Sequence, residues 1–131
     1  MERIFEFLKD CQTMYVASVE NDCPRVRPFS SHMSYKGRMY LCCGDYKESY
    51  RQLKANPNIE ICACNPEGRF IRIRGIAVFD ESEEAVNAFY AHEPGLKAIY
   101  KDVGLRLATF YIDKGYAELQ GGPEPFERFC F

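Results

Sequence analysis

The chain has 131 residues, 47% hydrophobic and 15% aromatic, with a formal net charge of −2. That is long enough for one domain with a real core and too apolar for a disordered chain. The near-neutral charge excludes a general nucleic-acid coat, and no apolar run approaches the length of a membrane span.

In chain order, residues 2 to 11 read as a short amphipathic helix with Ile4, Leu8 and Cys11 on one stripe. This acidic start has no signal-type apolar core, so the expected location is cytoplasmic, with neither membrane nor nucleic acid as partner. Tyr15 to Val19 is a strand, closed by the turn-forming Glu20-Asn21-Asp22. From about Arg25 to Tyr35 the chain again reads as extended. Alternation puts Arg25, Arg27 and Phe29 on one face, with Val26, Pro28 and Ser30 on the other. Pro28 cannot donate to a ladder, which implies an edge, a bulge or a close-approaching ligand.

Lys36-Gly37 supplies a hairpin turn, and Arg38 to Cys43 returns as the next strand. Gly44-Asp45 then opens a helix, with Asp45 and Glu48 at capping-box spacing and Tyr46, Tyr50 and Leu53 as its apolar stripe. Asn56-Pro57 ends it, because the residue before proline is pushed out of the α region. Ile59 to Cys64 is a strand, and Asn65-Pro66-Glu67-Gly68 is a turn. Phe70 to Phe79 is a long strand in which Gly75 marks a bend or bulge.

Ser82 caps a helix with Glu83 and Glu84 in its first turn and Ala85, Val86, Phe89 and Tyr90 on its buried side. A short helix after Pro94 carries Leu96, Ile99 and Tyr100. Arg106 to Ile112 is the last strong strand, with Tyr116 to Leu119 as a possible continuation. The tail from Gly121 to Pro125 is loop-like, yet Phe126, Phe129 and Phe131 should dock it on the core. About six strands with hairpin-length links, plus three or four helices, predict a mainly β fold: an antiparallel barrel flanked by helices. One domain spans 1–131, with the barrel over about 12–119 and the docking tail at 120–131.

Seven cysteines, at 11, 23, 42, 43, 62, 64 and 130, form no disulfide-scaffold pattern. Reduced thiols acting as small buried hydrophobes are expected. Cys62-Ala63-Cys64 places two thiols on one strand face but lacks the second pair of a zinc site, so no metal is expected.

Two segments bear on chemistry. Arg25 and Arg27 offer planar forks of donors suited to phosphate. At Cys43-Gly44-Asp45-Tyr46-Lys47-Glu48-Ser49 a strand hands over to a helix start, where unpaired N–H groups join Lys47 and a Ser49 hydroxyl. Taken singly, each segment reads equally as a solvated edge or an ordinary surface helix. A tight hairpin connects them, so together Arg25, Arg27 and Lys47 can bracket one phosphate. His32 and His92 sit in no nucleophile, zinc or triad motif, and neither a Walker loop nor a GxGxxG fingerprint occurs. No catalytic residue is evident.

The ordered series of a Pro-Arg-Val-Arg-Pro-Phe strand, a hairpin, Lys47 opening a helix that closes at Lys54-Ala55-Asn56-Pro57, and Phe70-Ile71-Arg72-Ile73-Arg74-Gly75 resembles the pyridoxamine 5'-phosphate oxidase-like split barrels. It is most similar to their small bacterial branch with the nitroimidazole-resistance proteins, over residues 12 to 119. The resemblance implies a six-stranded antiparallel split barrel binding FMN at a homodimer interface. It assigns Arg25, Arg27, Lys47 and Ser49 to the phosphate. Pro28, Phe29, Ser30, Cys42 and Cys43 would run along the ring and ribityl chain, and Phe70 would approach from the second subunit. Relatives often carry Thr or Asn at positions 43 and 44 and a basic residue at position 48, where this chain has Cys43, Gly44 and Glu48.

The implied activity is FMN-dependent reduction of a small organic substrate, such as a nitro compound or quinone, with a nicotinamide-type electron donor. The flavin carries such chemistry, which accords with the lack of a catalytic dyad. The resemblance equally admits a flavin or haem carrier or sensor, with His32 as candidate axial ligand, and a deazaflavin-dependent reductase.

Overall fold

Period-two alternation gives eight strands among the described residues, 1–121 and 127–131 of the computed structural model. They are β1 (Met14–Glu20), β2 (Cys23–Phe29), β3 (His32–Tyr35), β4 (Arg38–Gly44), β5 (Asn58–Cys64), β6 (Phe70–Phe79), β7 (Leu107–Gln120) and β8 (Glu127–Cys130). Four helices accompany them: α1 (Glu2–Leu8), α2 (Glu48–Ala55), α3 (Glu83–His92) and α4 (Leu96–Ile99), the last followed by a 3₁₀ turn at Lys101–Val103.

Every strand pairing is antiparallel, in the order β2-β1-β5-β6-β7-β4-β3. The 14-residue β7 runs the length of the sheet: its first part lies between β6 and β4, its second between β6 and β8. β2 and β3 are left as free edges, so the sheet curls into a split rather than closed barrel.

The expected count of six strands is corrected to eight. The extended run from 25 to 35 breaks at Ser30-Ser31, giving β2 and β3 separate edges, and the tail adds β8. Pro28 lies on an edge strand paired to β1 alone, where a missing N–H is tolerated. The tail docks through reciprocal backbone bonds between Gly115 and Phe131 of 2.7 and 2.9 Å, with Phe129 and Phe131 packed against the barrel core. Phe126 and the part of the expected loop over 122–125 lie outside the described residues.

Two hydrophobic clusters share β4. Met39, Leu41 and Cys43 point into the barrel with Val16, Ile61, Ile73 and Phe110. Tyr40 and Cys42 point outward under α3 and α4, against Phe89, Tyr90, Leu96 and Tyr100. Burial on both faces explains the unbroken apolar run of β4, and each large side chain so buried contributes roughly 1.5–3 kcal/mol. At Gly75 the β6–β7 register shifts. A Cβ there would stand 2.5 Å from Ile112 Cγ2 and 2.8 Å from the Asp113 carbonyl, so the bulge needs glycine. Ser82 caps α3 by accepting from the Ala85 N–H at 3.2 Å.

None of the seven cysteines is paired, but the expectation that they fill the core is only half met. Cys42 and Cys43 are buried, whereas Cys23, Cys62, Cys64 and Cys130 are exposed, because they fall on outward positions of edge strands and of the outer barrel face.

Candidate functional site

The barrel opens beside a cavity of about 270 Å³ where three chain segments converge. The end of β2 supplies Arg27, Pro28, Phe29 and Ser30, followed by Ser31. The end of β4 supplies Cys42 and Cys43, and the entry to α2 supplies Lys47 and Ser49. Leu96, Ile99 and Tyr100 of the α4 segment form the remaining wall.

The α2 entry differs from the expected capping box. The helix begins at Glu48, with Lys47 as N-cap and no side-chain cap bond. Residues 44–47 instead make a turn, in which the Lys47 N–H bonds the Gly44 carbonyl at 3.2 Å and the Asp45 N–H bonds the Arg106 carbonyl at 3.1 Å. Asp45 is thereby held in the strand-side turn, and Tyr46 stays 55% exposed instead of joining the helix stripe. Glu48 in the first turn faces Arg51 at 3.8 Å, so the positive end of α2 carries a lysine and no capping carboxylate.

Arg27 is the most constrained side chain of the site. One guanidinium nitrogen donates to the Ser18 hydroxyl at 2.9 Å and the Val16 carbonyl at 3.3 Å, and the other donates to the Gln52 amide oxygen. Gln52, only 5% exposed, is itself oriented by donating to Glu20 at 2.8 Å. All acceptors of Arg27 are therefore neutral. Burial pushes its pKa down from the ordinary arginine value, yet a guanidinium stays charged. Among the described residues neither Arg27 nor Lys47 has a carboxylate partner. Two cations thus line one cavity with no carboxylate bonded to either among the described residues.

The rest of the lining is chemically quiet. Burial pushes the Cys42 and Cys43 thiols up to about 12, the latter despite the opposing pull of Lys47 and Arg27. Burial likewise pushes the Tyr100 phenol up to about 12. All three stay protonated at neutral pH. They offer an apolar, polarizable wall and no nucleophile.

Two predicted site residues stand elsewhere. Arg25 is two residues back along β2, about 7 Å from Arg27, and its Nε donates to Glu20 at 3.4 Å; it does not line the cavity. Glu20, the carboxylate that also receives Arg51 at 2.8 Å, draws it toward the hairpin end. Phe70 pairs with Cys64 and Gln120 at the far end of β6, under the Arg72 guanidinium at 5.4 Å, and belongs to no wall of this cavity within one chain. His32 also lies outside the lining, with its ring 5.6 Å from Phe5 and its Nδ1 buried without a hydrogen-bond partner.

The sequence reading missed Ser31, Gln52 and the α4 wall. Leu96, Ile99 and Tyr100 read as a helical apolar stripe, with nothing to say which cavity that stripe would face. Gln52 lies off the predicted Tyr46-Tyr50-Leu53 stripe, and only its bonds with Glu20 and Arg27 in the folded chain bring it to the site.

The fold and cavity define a class, and the sequence places the chain within it: it belongs to the pyridoxamine 5'-phosphate oxidase family, whose model matches residues 1–117. It is similar to a NimC/NimA family protein from Clostridium acetobutylicum, at 34% identity and a TM-score of 0.93, covering 100% of this chain and 92% of that one. General stress protein 26 from Bacillus anthracis shares the fold at 17% identity and a TM-score of 0.73, covering 98% of this chain and 97% of that one. A haem-binding protein from Mycobacterium smegmatis does so at 16% identity and a TM-score of 0.72, covering 93% of this chain and 54% of that one. No curated protein gives a significant match. No helix among the described residues is long and apolar enough to cross a membrane.

Proposed function

We propose that the chain binds FMN at this cavity, acts as a homodimer, and reduces a small organic substrate such as a nitro compound or quinone with a nicotinamide-type donor. The observation that carries the reading is the pair Arg27 and Lys47, two cations lining one cavity with no carboxylate between them. Lys47 is exposed and Arg27 half-buried, so both charges can meet an anion that enters from solvent. A phosphate monoester supplies it, and the Ser49 hydroxyl adds a donor. Cys42 and Cys43, with Pro28 and Phe29, line the cavity with the largely apolar surface that a flat ring requires.

About 270 Å³ is at the small end of ligand clefts, which run to roughly 300–1,000 Å³, so one chain encloses only part of such a cofactor. A second copy covering the mouth supplies the remainder, and Phe70 is available for that role. When bound, flavin supplies the electron-transfer chemistry, and the protein's residues bind it, orient it and keep water from the ring. Arg27, braced by Ser18 and Gln52, holds the anionic end in one place. The high-pKa thiols avoid competing acid–base chemistry.

Haem has less support, because neither His32 nor His92 lines the cavity. The FMN reading is tested by the visible spectrum of protein incubated with FMN and desalted. The expected result is a retained flavin band. Arg27→Ala and Lys47→Ala should each weaken FMN binding by about 10- to 150-fold in a fluorescence titration, the range expected for a charge-assisted phosphate contact. Unchanged affinity in both variants removes the phosphate assignment. Comparing FMN with a deazaflavin in the same titration separates the two flavin classes.

A further inference from the structure

At the edge of the same cavity, in the break between β2 and β3, stands a polar pair that the phosphate assignment does not use. Ser31 is 7% exposed and lines the cavity. Its hydroxyl donates to Glu93 Oε2 at 2.8 Å, a contact between residues 62 apart in sequence. Glu93 is the C-cap residue of α3, held in place as its backbone N–H bonds the Phe89 carbonyl at 2.9 Å.

A hydroxyl has one proton and two lone pairs, and a carboxylate can only accept. With its proton committed to Glu93, Ser31 presents only lone pairs to the cavity, and the adjacent carboxylate strengthens them as acceptors. Arg27 and Lys47, by contrast, offer only donors. The cavity thus carries two kinds of polar group: cationic donors at Arg27 and Lys47, and at Ser31 an acceptor backed by a carboxylate.

We propose that Ser31, oriented by Glu93, is the specificity-determining acceptor of this cavity, selecting ligands that carry an N–H donor in addition to their anionic group. The inference rests on the FMN reading, and in oxidised flavin the N–H in question is the imide of the ring. Ser31 is the contact residue and Glu93 a positioning residue that acts through it. A ligand lacking the donor faces two acceptors and leaves Ser31 unsatisfied, a larger penalty than loss of one exposed hydrogen bond.

The test compares FMN with its N3-methyl derivative, which keeps the phosphate and ring but lacks the donor. Wild-type protein should bind FMN at least about fivefold more tightly than the methylated form. Ser31→Ala should abolish that preference, with the loss falling on FMN while the methylated analogue binds as before or better. Glu93→Gln, whose amide can donate to the Ser31 oxygen as well as accept from it, no longer fixes the hydroxyl proton and should shrink the preference while leaving the thermal melt close to wild type. Equal binding of the two flavins by wild type overturns the proposal and leaves the FMN reading standing. So does an equal loss for both ligands in Ser31→Ala, which marks a merely structural role. Failure of the wild type to bind either flavin overturns the FMN reading and this inference with it.

Discussion

At the scale of single residues, the site is distinguished by what its polar groups do not pair with. Arg27 donates only to neutral acceptors, and one of these, Gln52, links it to the Glu20 carboxylate. Arg25, two positions away, is neutralised by Glu20 directly. That difference separates a guanidinium available to an anion from one that serves the hairpin. The cysteines divide in a similar way. Since burial pushes Cys42 and Cys43 up to about 12, their thiolate fraction at pH 8 is negligible. Titration of the native protein with a thiol-specific disulfide reagent at that pH should therefore leave these two unmodified until denaturant is added. Rapid modification of either in the native state would mean that the cavity wall is not packed as described.

Between elements, carboxylate bonds help to hold α2, beside the packing of Leu53 in the core. Glu81 accepts from Tyr50 and Lys54 of α2, each at 2.8 Å, and Glu20 ties β1 to Arg51 and Gln52. Burial alone would raise Glu81, but the bonds from Lys54 and Tyr50 outweigh it and the net shift is downward. For Asp80, burial is likewise outweighed by Ser82 and Tyr40, while Glu20 is lowered chiefly by its bond from Arg51. A carboxyl lowered in the folded state stabilises above its unfolded pKa, near 4, and loses that contribution as pH falls through the folded value. The melting temperature should accordingly hold from pH 7 to about 5 and drop as pH descends below about 4. A flat profile through that window would show that these bonds add nothing net. The bulge at Gly75 belongs to the same scale. Gly75→Ala forces a methyl against Ile112 and the Asp113 carbonyl, and should cost about 1–3 kcal/mol in a denaturant titration.

For the molecule as a whole, two features point to a second copy. On the proposed reading, a cavity of about 270 Å³ encloses only part of an FMN, and the segment 99–105, whose Ile99 lines the cavity, leaves Ile99, Val103 and Leu105 exposed. Exposed apolar groups close together in one segment favour association. Light scattering should give twice the chain mass of 15.2 kDa. Ile99→Glu, which places a charge on the rim and the cavity wall, should shift the protein toward monomer and weaken FMN binding together. A stable monomer that still retains FMN would remove the shared-site reading.

Much of this protein was legible in the residues alone because it depends on local chemistry. Alternation gave the extended runs (though neither the β2–β3 break nor β8), Lys36-Gly37 the hairpin, Ser82 the cap of α3 and Gly75 the bulge, each a property of a few neighbouring side chains. The ordered series of motifs likewise pointed to the family, since order and spacing survive without coordinates. What needed the tertiary structure was every relation between distant segments. The partition of Arg27 from Arg25 depends on how β2 lies against Gln52 of α2. The start of α2 was decided by the Asp45–Arg106 backbone bond, which removes Asp45 from capping. The pairing of Ser31 with Glu93 joins residues 62 apart, and the α4 wall reaches the cavity only after α3 packs on β4. Side-chain periodicity reports which face of an element is apolar. Which other element covers that face is settled by packing all of them at once.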